Sequence, residues 1–493
     1  MDPPNYLKNL QNLVGNAVNA VNAVNAVNAV NAVNITGSPS PSPAPMGMPS
    51  AQANSLSGFV TAGPSGSSGS SGPSGQKGKL KFVLVSTHCQ QYTGYSKVSY
   101  GLIRQLAKVP WLSVTHFAFQ KFPNQQFPAD YRPYPAGVDV IDAAAAETPF
   151  EQGFGFKQLP DVIKKVSPDI VMIYNDMSIV GKFMLDMDKV FPAPRSFKTW
   201  VYCDQVYNTQ LQGYLDMLNL KSERIFAFTP YWKQCLKDQG ITRPIDVLLH
   251  GFEADVYRQL PRNEIRKQLK LPEEAFIYLN VNRNQPRKRY DIMVMAFAEL
   301  VAKYPTKPIF LMCICDKGDK GGWWIFELYQ RELKMRGVNV EAFGNRLMLS
   351  SQDMVFKDED INVFYNLADV GVNSAEGEGW GLCNFEQMGV GVPQVVPNVG
   401  GFKEYCNAGN SVLVEAKHRY YLPMVYSPVG GEARSMEPSD LCIGMEEYLL
   451  DSEKRKAHGE AARKTVLGYT WERAAEPLIR RLRQEKEDKD AET

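Results

Sequence analysis

Glu378 and Glu386 stand eight residues apart in SAEGEGWGLCNFEQMGVGVP (374 to 393), with Gly379 and Gly381 between them and Gly377 just ahead. The run DVGVNSA (369 to 375) ahead of them reads as a strand, and the residues after Gly381 read as a short helix that must end near Gly391 and Pro393. Unpaired amides at the head of that helix, near Leu382, Cys383 and Asn384, can hold a phosphate group. Carboxylates repel phosphate but accept hydrogen bonds from sugar hydroxyls. A ligand with a hexose, a diphosphate and a ribose in series would meet both demands, with one glutamate at each end and the amides between. The same acids would also serve simply to favour the helix dipole.

A second cluster supplies cations. VNRNQPRKRYD (281 to 291) follows a strand and offers Arg283 and Lys288 before a helix begins. A departing nucleoside diphosphate carries about two to three negative charges, and a cation about 4 Å away contributes about 4 kcal/mol at an effective dielectric near 20. Arg283 and Lys288 can therefore take the part often played by magnesium, so no metal or other cofactor is expected. Arg287 and Arg289 read as a solvated basic turn. The D-x-D pairs Asp186/Asp188, Asp358/Asp360 and Asp488/Asp490 lie in charged helical stretches and read as solvated faces.

The glycine spacing argues against a dinucleotide cofactor. Gly377, Gly379 and Gly381 run G-x-G-x-G where the fingerprint is G-x-G-x-x-G, and PQVVPNVGG offers Asn398 where an acid would grip an adenosine ribose. The loop after the first strand, THCQQYTGYS, has a single glycine.

Apolar runs alternating with amphipathic stretches begin at Leu80, the signature of βαβ units. LKFVLVS (80 to 86), DIVMIYND (169 to 176), KTWVYCD (198 to 204) and RIFAFTP (224 to 230) read as one parallel sheet. FIYLNVN (276 to 282), PIFLMCIC (308 to 315), RLMLSS (346 to 351), DVGVNSA, PQVVP (393 to 397) and SVLVEA (411 to 416) read as a second. The fold class is thus α/β, with two doubly wound Rossmann-like domains facing a cleft, and ligands belong at the carboxyl ends of the strands. Ahead of them, residues 16 to 33 repeat NAV six times, a period that fits neither helix nor strand, and a Ser/Pro/Gly tract continues to about Lys79. Residues 1 to 79 therefore read as a disordered low-complexity tail, 80 to 250 as the first domain and 251 to 469 as the second. Residues 470 to 493 read as a closing helix and charged tail.

The 493 residues carry a formal net charge of +1, which excludes the basic footprint of a nucleic-acid binder. Eight cysteines without C-x-x-C spacing, and only five histidines, favour reduced thiols over disulfides or a zinc site. MDPPNYLKNL lacks the features of a secretory signal, and the longest apolar run is too short to span a bilayer. A cytoplasmic protein follows as the expectation, with peripheral membrane contact left open.

EGWGLCNFE resembles the E-x7-E signature of retaining glycosyltransferases of the GT-B architecture, in particular family 4 with its mannosyl- and glucosyltransferases. NRNQPRK is similar to that family's diphosphate motif, HGFEADVY (250 to 257) to its interdomain segment and VPNVGGFKE (396 to 404) to the segment after its motif strand. The match also resembles glycosyltransferases encoded by large DNA viruses, for which the location would be the host cytoplasm.

The resemblance implies Arg283 and Lys288 on the donor diphosphate, Glu378 on the transferred sugar and Glu386 on the ribose. It further implies that Gly379, Trp380, Gly381, Leu382 and Cys383 line the donor pocket and that Gly94 in TGYSKVSYGLIRQL stands at the cleft. Tyr95 replaces a second glycine there, and Asp204 stands where the family commonly has a histidine, on the acceptor side. Asp204 also reads as a plain polar strand end. The expected partners are a UDP- or GDP-sugar donor and a glycan, free or protein-linked, or another hydroxyl acceptor. A nucleotide-sugar epimerase of the same fold and a non-catalytic sugar-binding scaffold are the alternatives. The linker near 245 to 257 is expected to be a hinge, and FQKFPNQQFPADYRPYP (119 to 135) and HRYYLPMVYSP (418 to 428) read as loops that either shape an acceptor site or pack.

Overall fold

A computed structural model describes residues 78–121, 131–145, 147, 152–315, 322–350 and 356–492. The NAV repeat, the Ser/Pro/Gly tract and part of the 119 to 135 segment lie outside the described residues. Two parallel sheets dominate. The first has seven strands: β1 (Leu80–Thr87), β2 (Leu112–Phe119), β3 (Val138–Asp142), β4 (Ile170–Asp176), β5 (Lys198–Asp204), β7 (Arg224–Ala227) and β8 (Ile245–Val247). They are ordered β3-β2-β1-β4-β5-β7-β8. The second has six: β9 (Phe276–Val281), β10 (Ile309–Ile314), β11 (Leu347–Leu349), β12 (Val370–Val372), β13 (Gln394–Pro397) and β14 (Ser411–Val414). Their order is β11-β10-β9-β12-β13-β14. In each sheet the order reverses beside the first strand, which opens a crevice at the carboxyl ends.

The central strands are apolar on both faces because helices cover both. β10 is buried at all six positions, and Val83, Leu84 and Val85 of β1 are fully buried. Three strands of the first sheet were not expected. Thr115 and His116 interrupt the apolar run of β2; β3 is an edge strand carrying Asp139 and Asp142; β8 is three residues long.

A third sheet is antiparallel and joins the two halves. β15 (His418–Tyr421) pairs with β16 (Gly430–Ser435), and β16 pairs with β6 (Asn208–Gln210), in the order β15-β16-β6. The segment read as the loop HRYYLPMVYSP thus starts as a strand. The chain crosses between halves at 248 to 252, where Phe252 forms a bridge with Thr470. The long helix Trp471–Glu492 then runs back over the first half, with Trp471 against Gly101 and Gly251 and Arg481 bonded to Asp246. No helix among the described residues is long and apolar enough to cross a membrane.

Candidate functional site

The cleft between the two large sheets encloses a cavity of about 400 Å³. Its walls are the loops after β1, β5, β9, β10, β11 and β12, as the doubly wound topology requires. Arg283, Lys288, Glu378, Asp204 and Gly94 all line it, together with Gly379, Trp380, Gly381, Leu382 and Cys383. Glu386 lies one layer behind, touching two lining residues, Lys97 and Tyr365.

The turn before the motif helix is fixed by backbone geometry. Gly381 has φ +88°, and a side-chain methyl there would lie 2.6 Å from the Phe402 ring and 2.8 Å from the Tyr405 hydroxyl. It caps the helix Leu382–Gly389. The amides of Asn384 and Phe385 donate to the Gly381 carbonyl at 3.1 and 3.0 Å, so Asn384, expected to hold phosphate, is already engaged. Leu382 and Cys383 remain at the cavity wall. Trp380 contributes wall and packing: its ring lies 4.8 Å from His250 and 5.2 Å from Phe385.

Glu378 is buried between two cations. It accepts from Lys288 and from Arg287 at 3.3 Å, and Arg287 also donates to the Gly377 carbonyl at 3.0 Å. Burial works to raise its pKa, and Lys288 and Arg287 overcome that and hold it below the ordinary value. Burial and the neighbouring Arg287 push Lys288 down to about 8. Arg289 is tied to Asp291 at 2.8 Å and to Glu376 at 3.2 Å, with Tyr420 of β15 on the same glutamate. Arg287 and Arg289 are therefore not a solvated turn. The short 3₁₀ segment Pro286–Lys288 and the left-handed Arg289 (φ 49°) turn both side chains onto the 376 to 378 carboxylates. Arg283 is exposed on the same cavity wall.

Across the cleft, Asp204 ends β5, and its Oδ2 accepts from the Tyr95 hydroxyl at 2.6 Å. Burial raises its pKa to about 6 despite that hydrogen bond and Arg287. The halves are in close contact here: Trp232 donates from its indole to the Gly379 carbonyl at 2.9 Å, and a methyl on Gly379 would collide with Asp204.

A second set of charges spans the cleft. Lys97, on the helix Gly94–Leu106, donates to Glu386 at 2.7 and 2.9 Å and lies 3.5 Å from Asp358. Arg132 bonds Asp358 at 2.6 and 3.0 Å, and the Tyr257 hydroxyl adds 3.1 Å. Asp358 is thus the centre of a partly buried network rather than a solvated face. Burial raises the pKa of Glu386, with Lys97 pulling the other way. Lys97, Arg132, Asp358 and His250 were not expected here, nor was the bond from Tyr95 to Asp204. Lys97 and Tyr95 follow Gly94 within the loop already singled out, and His250 opens the HGFEADVY segment, which was the available signal.

Among the described residues all eight cysteines are free, and no group of three or more His, Cys, Asp or Glu is placed to hold a metal.

Residues 261–420 match the family model of glycosyl transferases group 1. A D-inositol 3-phosphate glycosyltransferase of Streptosporangium roseum is 27% identical over 198 residues, which is 39% of this chain and 44% of that protein. The chain therefore spans less than half the length of this curated relative. Sucrose-phosphate synthase from Thermosynechococcus elongatus has a similar structure, with a TM-score of 0.62 over 82% of this chain and 99% of that one at 17% identity. Anabaena HepE, solved in complex with UDP-glucose, gives 0.59 over 82% and 100% at 14% identity. The architecture is the GT-B fold. The segment 261–420 is that of the group 1 glycosyltransferases, set within a GT-B fold.

Proposed function

We propose that this protein is a retaining glycosyltransferase that moves a hexose from a UDP- or GDP-sugar to a hydroxyl of a glycan or similar acceptor. One observation carries the reading. Arg283, Arg287 and Lys288 converge with Glu378 and the head of the helix Leu382–Gly389 on one cavity, between two sheets whose carboxyl ends face each other. HepE, solved with UDP-glucose, supports the donor class.

In this reading Arg283 and Lys288 hold the diphosphate, helped by Arg287 and the amides of Leu382 and Cys383. Glu378 leaves part of its bonding with Lys288 to accept from the sugar hydroxyls. Glu386 accepts from the ribose, which requires Lys97 to yield it and fall back on Asp358. The cations stabilise the charge that develops as the bond to the anomeric carbon breaks, in a cleft that excludes water. The departing phosphate oxygen takes the acceptor proton while the new bond forms on the same face, releasing nucleoside diphosphate. With three cations on the leaving group, no metal ion is needed.

A screen of UDP- and GDP-sugars for transfer and hydrolysis in EDTA, with the product anomer read by NMR, tests this. A retained anomer is expected. Isomerisation of donor alone would identify an epimerase, and full loss in EDTA with recovery on manganese would overturn the cation assignment.

A further inference from the structure

The carboxylate assigned to the ribose is covered on its cavity side by a lysine. Glu386 is 3% exposed and does not itself line the main cavity, whereas Lys97 and Tyr365 do. Both of its oxygens are taken. Oε1 accepts from Lys97 at 2.7 Å, and Oε2 accepts from Lys97 at 2.9 Å and from the Tyr365 hydroxyl at 2.7 Å. The ammonium thus presents donors to both oxygens of one carboxylate, as the two adjacent hydroxyls of a ribose would.

Lys97 reaches this place from the other half of the molecule. It stands in the first turn of the helix Gly94–Leu106, and its side chain meets Glu386, the Tyr257 hydroxyl and Asp358, all of the second half. Asp358, at the head of the helix Asp358–Leu367, is the neighbouring seat. Its Oδ1 lies 3.5 Å from the ammonium, and a shift of about 0.6 Å would bring the two to hydrogen-bond length. Asp358 itself is held in place. Arg132 grips its Oδ2 through Nε and Nη2, while Nη1 bonds the Cys89 and Gln91 carbonyls and Ser96 Oγ in the first half. Lys97 can therefore leave Glu386 and still keep an acid beside it.

We infer that Lys97 is an internal competitor for Glu386, a latch that the ribose of a nucleotide must displace toward Asp358 before the donor is fully seated. The inference rests on the glycosyltransferase reading and adds to it a self-inhibiting contact that answers to ligands with a ribose diol. A seat that is open only a fraction of the time binds with its affinity reduced by that fraction, so the latch weakens nucleotide binding. A lysine that held the donor directly would strengthen it.

Calorimetry with UDP, GDP and pyrophosphate on the parent, Lys97→Met and Asp358→Asn tests this. If neither UDP nor GDP binds the parent or Lys97→Met, the transferase reading falls and the inference with it. Lys97→Met should tighten nucleotide binding at least fivefold, which corresponds to Glu386 being open in the parent at most about one-fifth of the time. Pyrophosphate, having no ribose, should gain nothing. Removing one partner of a buried ion pair costs stability, so the folding of this variant is checked by its unfolding midpoint. Asp358→Asn is a second arm that keeps both Lys97 and Glu386. With its other seat gone, Lys97 should stay on Glu386, weakening nucleotide binding at least threefold and leaving that of pyrophosphate within twofold. Nucleotide binding that is unchanged or weaker in Lys97→Met, or an equal gain for pyrophosphate, overturns the inference and leaves the transferase reading standing. So does an Asp358→Asn protein that binds nucleotide as the parent does, or that loses pyrophosphate in the same proportion.

Discussion

Replacing Asp204 by asparagine should make the protein more stable near neutral pH, and by an amount that depends on pH. The carboxyl sits at the end of β5 with its pKa pushed from an ordinary 3.8 to about 6, burial being the largest cause. That shift corresponds to about 3 kcal/mol by which ionisation of the folded form opposes folding. Because the folded value is the higher one, the stability contributed by the protonated acid is complete below about pH 3.8 and is lost as pH rises through about 6. Asparagine keeps an oxygen for the Tyr95 hydroxyl and has nothing to ionise. Asp204→Asn should therefore exceed the parent by about 3 kcal/mol near pH 7.5 and by only about 1 kcal/mol near pH 4.5. Urea unfolding at the two pH values, followed by tryptophan fluorescence, measures this. Equal stabilities throughout, or a parent more stable at the higher pH, would refute it. Transfer activity should fall in the same variant, the usual exchange between stability and a strained functional group.

Lys288, held down to about 8 by burial, should regain its proton when a diphosphate arrives, so UDP or GDP binding near pH 8 should take up about half a proton. Calorimetry in two buffers of different ionisation enthalpy reads this, and Lys288→Met should abolish it; binding without uptake in the parent would contradict the assignment. Gly101→Ala adds a methyl inside the space of the Trp471 ring, which is 5% exposed and also pressed on Gly251. The clash should destabilise by about 1–3 kcal/mol in spite of alanine's better helix propensity, seen as a lower unfolding midpoint. An unchanged midpoint would show that the contact between the last helix and the first half is slack.

The second sheet was legible because its strands are buried on both faces and so read as continuous apolar runs, PIFLMCIC most plainly. β2 was hidden because His116 is buried by bonding Ser86 and Tyr134 rather than by being apolar. The convergence of Arg283, Lys288 and Glu378 followed from their common place after parallel strands. Arg287 was misread because nothing in NRNQPRKR marks which of its three adjacent cations the 3₁₀ turn will bury. Lys97, Arg132 and Asp358 meet only across the cleft, from positions 97, 132 and 358, and no local period encodes such a meeting. The same holds for β6 and β16, which are short, polar and paired across more than two hundred residues of sequence.

That last pairing constrains how the two halves can separate. Gln210 faces Gly430 and Asn208 faces Glu432 in a main-chain ladder, whereas the ties at the Lys97 side of the cleft, such as Lys97 to Glu386, are side-chain bonds that can exchange partners. An opening of the cleft that kept these two main-chain rungs would therefore pivot on the edge beside β6. The entrance would then widen like a book opened from its spine, at the free edge where Lys97 meets Glu386.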